Sequence, residues 1–272
     1  MLAILGGGAY YGYELFYKPK QIIEAEKAEQ ATAAELPPPP DPSIAVFEQI
    51  VSSYLPSEPE KLASTATALE NFLADYPDSP SVDDARDVLG EIHADLLLST
   101  HVDEGKETYT VVSGDALASV ANKHKSNIEL LMRANNLLSH NLSVGQKLLI
   151  PKVDFSVVVD TTKNKVILSN HGKFFRQYPI LSISLPGGIS SLDTKVTDKL
   201  AMKGSSRVAF GGPEYAASDR WVMLEKGIAF RAMPEVEVPG TPVAIPAGIV
   251  LARPDVEEIF SLVSRGTPVT IR

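Results

Sequence analysis

Apolar residues recur along this chain with more than one period, and the changes of period mark its organisation. From residue 43 they fall at helical spacing: Ile44, Phe47, Ile50, Val51 and Leu55, then Leu62, Leu69, Phe72 and Leu73, then Val82, Ala85, Val88, Leu89, Ile92 and Leu96. Positions three and four apart share one face of a helix, so amphipathic helices are predicted over 43–56, 59–76 and 81–98. Pro77, Asp78 and Ser79 break the second helix, and Ser81, with acids in the turn after it, is placed to cap the third. From Asp154 the pattern becomes an alternation of apolar and polar residues, the period of a half-buried strand. Val157–Val159 is predicted to pair with Val166–Leu168, and a second turn over 169–173 leads into Phe174–Tyr178.

Residues 109–151 separate these two regimes. A β-prone run, Tyr109 to Val112, meets a turn at Gly114-Asp115, and Asp115 is placed to cap the helix that follows. Two short amphipathic segments come next, then Gly145-Gln146 and a second apolar strand closed by Pro151.

At the N-terminus, Leu2 to Tyr13 is apolar but shorter than the ~20 residues of a spanning helix. The basic start of a secretory signal is missing as well. Residues 1–18 are therefore expected to be a signal remnant or a short membrane anchor. Residues 19–42 read as a linker, charged and Ala-rich up to Leu36 and stiffened by Pro37 to Pro40.

Charge sharpens this division. The formal charge is −9, but residues 1–106 hold 6 Lys/Arg against 19 Asp/Glu, giving −13, while 107–152 and 153–272 each come to +2. With no basic field to meet a phosphate backbone, nucleic acid is not an expected partner. The chain has no cysteine, which removes thiolate catalysis, disulfides and Cys-based metal sites. His93, His101 and His171 share no metal-ligand spacing, so neither a metal nor a cofactor is expected. His124, between Lys123 and Lys125, reads as part of a solvated face, and His140 as a loop residue.

The 109–151 pattern, YTVVSGDALASV through SVGQKLLIP, resembles a LysM domain, a βααβ unit that binds peptidoglycan and chitin. The resemblance implies a shallow groove between Ser113, Gly114, Asp115, Ala116 and Leu117 on one side and Leu138, Ser139, His140 and Asn141 on the other. Such a groove hydrogen-bonds the N-acetyl groups of GlcNAc-type sugars. Ala116 stands where the family often has Thr, which costs one hydroxyl contact. The stretch FLADYPDSPSVDDARDVLGEI looks like one tetratricopeptide-type hairpin. One such hairpin cannot bury its own face, so 43–100 is either a spacer or a surface for an envelope protein partner.

Residues 153–272 resemble an L,D-transpeptidase (YkuD-type) domain, on the opening hairpins, on Asp255–Phe260 as its final helix and on Gly266–Ile271 as its final strand. That family uses a cysteine acyl-enzyme with a histidine and an arginine. Here the resemblance lays Arg231 on the histidine position, Gly248 on the nucleophile and Val250 on the arginine. Every catalytic element is replaced, and neither Cys nor His occurs between 172 and 272. The implied architecture is α+β and multidomain: an N-terminal helical segment, a βααβ LysM unit over 107–152 and a mostly-β transpeptidase-like sandwich.

The implied function is peptidoglycan binding in the cell envelope, periplasmic or otherwise extracytoplasmic, by a pseudoenzyme whose C-terminal domain is a binding or regulatory platform. Arg231 is a candidate to hold a carboxylate, and Trp221 is expected in the core. Two alternatives stay open. One is an active acyltransferase with a serine nucleophile, Ser184 or Ser191. The other is a scaffold that binds an envelope protein through 43–100.

Overall fold

Prolines set the boundaries of the helical segment. Helix α1 runs Pro42–Ser52, α2 runs Pro59–Asp75 and α3 runs Val82–Leu98. Pro59 sits in the first turn of α2, where its missing N–H would have had no partner, and the helix stops at Tyr76, just ahead of Pro77. The computed structural model describes residues 41–54, 58–100, 104–234 and 245–272, together with Glu24. The anchor expected within 1–18 and the linker up to residue 40 lie outside the described residues.

The predicted helical faces form one cluster of Leu62, Leu69, Phe72, Ala85, Leu89 and Ile92, with Phe47 packed on Phe72 at 5.8 Å. Ser81 occupies the cap position of α3, but its hydroxyl makes no cap bond. The side chain is buried instead, and Asp83 and Asp84 supply the favourable charge at this helix start.

Helix α3 carries Gly90 at mid-length, a residue that costs roughly 0.5–1 kcal/mol against alanine there. A Cβ at Gly90 would stand 2.9 Å from Cγ and 3.2 Å from Cα of Arg176, so the glycine marks a close approach of helix to strand. That strand, β5 (Lys173–Pro179), ends the strand order of the large sheet. Lys165 pairs with Asp83 at 2.5 Å, Gln177 Nε2 donates to Asp87 at 2.7 Å, and His93 Nδ1 lies 3.0 Å from the Phe175 carbonyl. The hairpin thus covers its face on the chain's own sheet.

The middle unit is βααβ: β1 (Lys106–Thr110), α4 (Leu117–Lys123), α5 (Ile128–Ala134) and β2 (Lys147–Pro151). β1 and β2 pair antiparallel, Lys106 opposite Pro151 and Thr110 opposite Lys147. Val111, Leu117, Val120, Ala121, Leu131, Leu148 and Ile150 fill its small core. Lys106 Nζ donates to the Leu96 and Ser99 carbonyls at 2.8 and 2.6 Å, tying β1 to the last turn of α3, where the helix dipole favours a cation.

The remaining strands are β3 (Phe155–Asp160), β4 (Lys165–Asn170), β6 (Ser182–Ser184), β7 (Leu192–Lys203), β8 (Ser206–Val208), β9 (Asp219–Leu224), β10 (Ala229–Ala232), β11 (Gly248–Leu251) and β12 (Pro268–Ile271). They pair in the order β5-β4-β3-β12-β7-β9-β10-β11-β6, with β8 on β7. The first hairpin has the predicted register, Val157 opposite Leu168 and Val159 opposite Val166. Its turn places Asn164 at positive φ, and the next turn does the same with His171 and Gly172.

Strand β7 joins two half-sheets. Its residues 192–195 pair with β12, and from Val196 it pairs with β9, with a register shift between Val196 and Asp198. Val157, Val166 and Val269 from one half share a core with Val222, Phe230 and Ile249 from the other. Helix α6 (Arg253–Leu262) adds Val256 and Ile259 to that core. The architecture is α+β with a C-terminal sandwich, as expected.

The βααβ unit is fixed to this sandwich by polar contacts. Asn127 Oδ1 accepts from the Leu130 amide at 2.9 Å, capping α5, while its Nδ2 donates to the Val263 carbonyl at 3.2 Å. Glu129 accepts from Lys199 Nζ at 3.1 Å and from the Tyr215 hydroxyl at 2.8 Å. Burial pulls the Lys199 ammonium below its usual range, and Glu129 opposes that shift. Leu130 itself belongs to the sandwich core. Residues 43–272 accordingly form one compact unit.

Candidate functional site

Gly114 turns the chain after β1 with φ 92°, and open space surrounds its Cα. Asp115 does not cap the following helix. Ala116 holds the cap position of α4, without a side-chain bond. Asp115 Oδ2 accepts from the Val112 amide at 2.9 Å and from the Tyr109 hydroxyl at 2.8 Å, closing the turn back onto β1. Those two bonds, the amide first, hold its carboxyl below the usual carboxylate range. Ser113, Gly114 and Ala116 are exposed, whereas the Leu117 side chain is buried, leaving only its backbone to border a groove.

In the loop after α5, Leu138 is completely exposed, and Ser139 Oγ accepts from the Asn141 amide at 3.3 Å. His140 lies edge-on to Phe210 at 5.9 Å, so this loop residue touches the C-terminal domain. Two apolar residues escaped the sequence reading. Val112 and Val144 are 54% and 72% exposed, and the Gly145 amide bonds the Val111 carbonyl at 2.8 Å, bringing their turns side by side. No residue-type signal marks them, since single exposed apolar residues are ordinary on a protein surface. His124 is not on a solvated face. It lies against Tyr109 at 5.2 Å and within 3.3 Å of Glu107.

A second candidate lies in the sandwich, where the three positions Arg231, Gly248 and Val250 come together. β10 and β11 run parallel, with Arg231 opposite Val250, and β11 pairs with β6 so that Gly248 faces Ser184. Gly248 has φ 115°, and a Cβ there would stand 2.5 Å from the Ala229 carbonyl oxygen. Both facts bar a side chain. Val250 is fully buried. The Arg231 guanidinium lies 3.9 Å from the Trp221 ring centre, and its buried Nε finds no hydrogen-bond partner among the described residues. Burial lowers its pKa. Trp221 is therefore a half-buried platform for Arg231 and not a core residue as expected.

Ser184, Ser190 and Ser191 are exposed, and among the described residues none of their hydroxyls bonds a titratable group. No cluster of three or more potential metal ligands occurs among the described residues. No described helix is long and apolar enough to cross a membrane.

The strand–turn–helix–helix–strand segment is also where the family comparison finds its match. Residues 109–151 match the LysM domain. No curated protein matches the chain. Among solved structures it is similar to an L,D-transpeptidase from Mycobacterium smegmatis, at 19% identity over 48% of this chain and 64% of that one, with a TM-score of 0.32. L,D-transpeptidase 3 from Mycobacterium tuberculosis gives 18% identity over 48% and 66%, also at 0.32. L,D-transpeptidase (Yku) from Stackebrandtia nassauensis gives 14% over 44% and 55%, again at 0.32. The chain spans less than two thirds of the length of each, and similarity at this level fixes neither activity nor substrate.

The LysM unit thus offers an accessible backbone turn flanked by exposed apolar side chains.

Proposed function

We propose that this protein holds cell-wall glycan through its LysM unit, in the cell envelope, and that its C-terminal sandwich is a non-catalytic platform. The observation that carries the first half is the LysM match itself, joined to the exposed set Val112, Gly114, Ala116, Leu138 and Val144. The glycan is peptidoglycan or another GlcNAc-containing polymer. Ser113 to Leu117 and Leu138 to Asn141 border the groove, with backbone groups at the Gly114 turn hydrogen-bonding the sugar.

The platform half is supported by Gly248, whose backbone leaves no room for a nucleophile, and by the absence of cysteine from the chain. Arg231, half-buried and held on Trp221, is suited to an acidic group such as a peptide carboxylate. A serine nucleophile has less support, since no described imidazole stands beside Ser184 or Ser191. Binding of a protein partner through 43–100 would have to use the outer helix faces, because α3 already lies on β5.

Sedimentation with protein-free sacculi tests the glycan half. Deleting the LysM unit would strip Lys199 and α6 of their cover, so surface substitutions serve better. The wild-type chain is expected in the pellet, and Ala116→Trp combined with Leu138→Asp in the supernatant. A wild-type chain that stays in the supernatant refutes glycan binding. Formation or cleavage of muropeptide cross-links by the pure protein refutes the platform.

A further inference from the structure

The loop Leu138–His140 borders more than the LysM groove. It also forms one wall of an open cavity of about 1270 Å³, lined further by α3, α5, α6 and the loop around Phe210 to Tyr215. That volume exceeds the ~300–1,000 Å³ of pockets built for one small molecule.

Its walls differ in chemistry. One is aromatic: His140 stands edge-on to Phe210, which stands edge-on to Tyr215 at 4.9 Å. Tyr215 is locked, since its hydroxyl donates to Glu129 and the Arg220 guanidinium lies 4.1 Å from its ring centre. The opposite wall presents Glu91 and Asp95, one turn apart on α3, both exposed and without an ion pair among the described residues. The cations that line the space are engaged. Arg176 pairs with Glu258 at 3.1 Å, Arg133 donates to Ser261, and Arg220 donates to the Tyr215 carbonyl at 2.8 Å. The uncommitted groups are therefore the Glu91 and Asp95 carboxylates, the Asn136 amide and the apolar surface of Leu138 and Phe210. They suit an occupant with apolar faces and many hydroxyl and amide groups, as the N-acetylated sugars of the proposed glycan have.

We propose that the glycan strand held at the LysM turn continues into this cavity, where Phe210, Glu91 and Asp95 contact further sugar units. The inference rests on the LysM unit binding glycan and extends that site beyond the unit's own edge. It makes length the selected property: a short oligomer fills the groove alone, and a long one fills groove and cavity.

Calorimetry on the full chain with a trimeric and an octameric N-acetylglucosamine oligomer tests this. The octamer is expected to bind about tenfold more tightly than the trimer. Phe210→Ala, and separately Glu91→Gln with Asp95→Asn on an exposed helix face, should bring the octamer down to the trimer's affinity and leave the trimer unchanged. Equal affinities in the wild type, or an octamer advantage that survives both variants, overturn the cavity site while glycan binding stands. Failure of both oligomers to bind removes the LysM reading and this one with it. An octamer advantage that collapses with added salt points to a cation-selective cavity instead and also overturns the proposal.

Discussion

The LysM turn and the β10–β11 corner are both glycine-centred, and they use glycine in opposite ways. At Gly114 the positive φ exposes backbone, and nothing lies within 4 Å of an added Cβ. At Gly248 the positive φ brings backbone against backbone, with the Ala229 oxygen in the place of a side chain. One glycine opens a surface and the other closes one. The lesson is that a missing side chain has to be read with its surroundings, because the same residue marks an open turn and a sealed strand contact.

The strongest way to break this contrast is at the junction that carries the LysM unit. Glu129→Leu leaves the Lys199 ammonium buried without its partner, and should cost about 3–5 kcal/mol in denaturant unfolding. Next comes the corner itself. Gly248→Cys has to move the Ala229 carbonyl and adopt a strained φ, and is expected to lose on the order of 3 kcal/mol. It should gain no transpeptidase activity; a stable, β-lactam-labelled Gly248→Cys protein would show that the corner is open after all. Gly90→Val, which drives a side chain into Arg176, should cost about 2 kcal/mol and expose β5 to hydrogen exchange. At the open turn the effect on stability is smallest. Leu138→Asp should stay within about 0.5 kcal/mol of wild type, while it weakens pelleting with sacculi.

A pH titration sharpens the same picture at the α3–β5 contact. Burial lowers the His93 pKa from its ordinary 6.5, against the raising influence of the Phe175 carbonyl and Glu70. The folded state thus binds fewer protons than the unfolded one just below pH 6.5. The contribution of His93 is fully present above that pH and is lost as the pH falls toward its folded pKa. His93→Gln is expected to flatten this part of the stability profile, and an unchanged profile would take the effect away from His93.

Periodicity made much of the fold legible. The helical spacing of Leu62, Leu69 and Phe72 and the alternation around Val157 and Val166 each follow from one buried face, and the structure buries those residues. The contacts between segments were not legible. Asn127, Glu129, Lys199 and Tyr215 carry no pattern that marks them in the sequence, and only three-dimensional pairing shows that they are half-buried connectors. Gly90 carried a readable sign, a glycine inside a strong helix pattern, but not the identity of what approaches it. The same holds at the site. The Gly114 turn could be placed from sequence, whereas the alignment of His140 with Phe210 depends on two segments about seventy residues apart.

The ion pair and cap that join α5 to the sandwich have a mechanical consequence. A carbohydrate-gripping unit on a loose tether would report only that the polymer is near. This joint has no swivel, so under the proposed function the strand held by the unit also sets the tilt and facing of the sheet, and with them the direction in which Arg231 and Trp221 face.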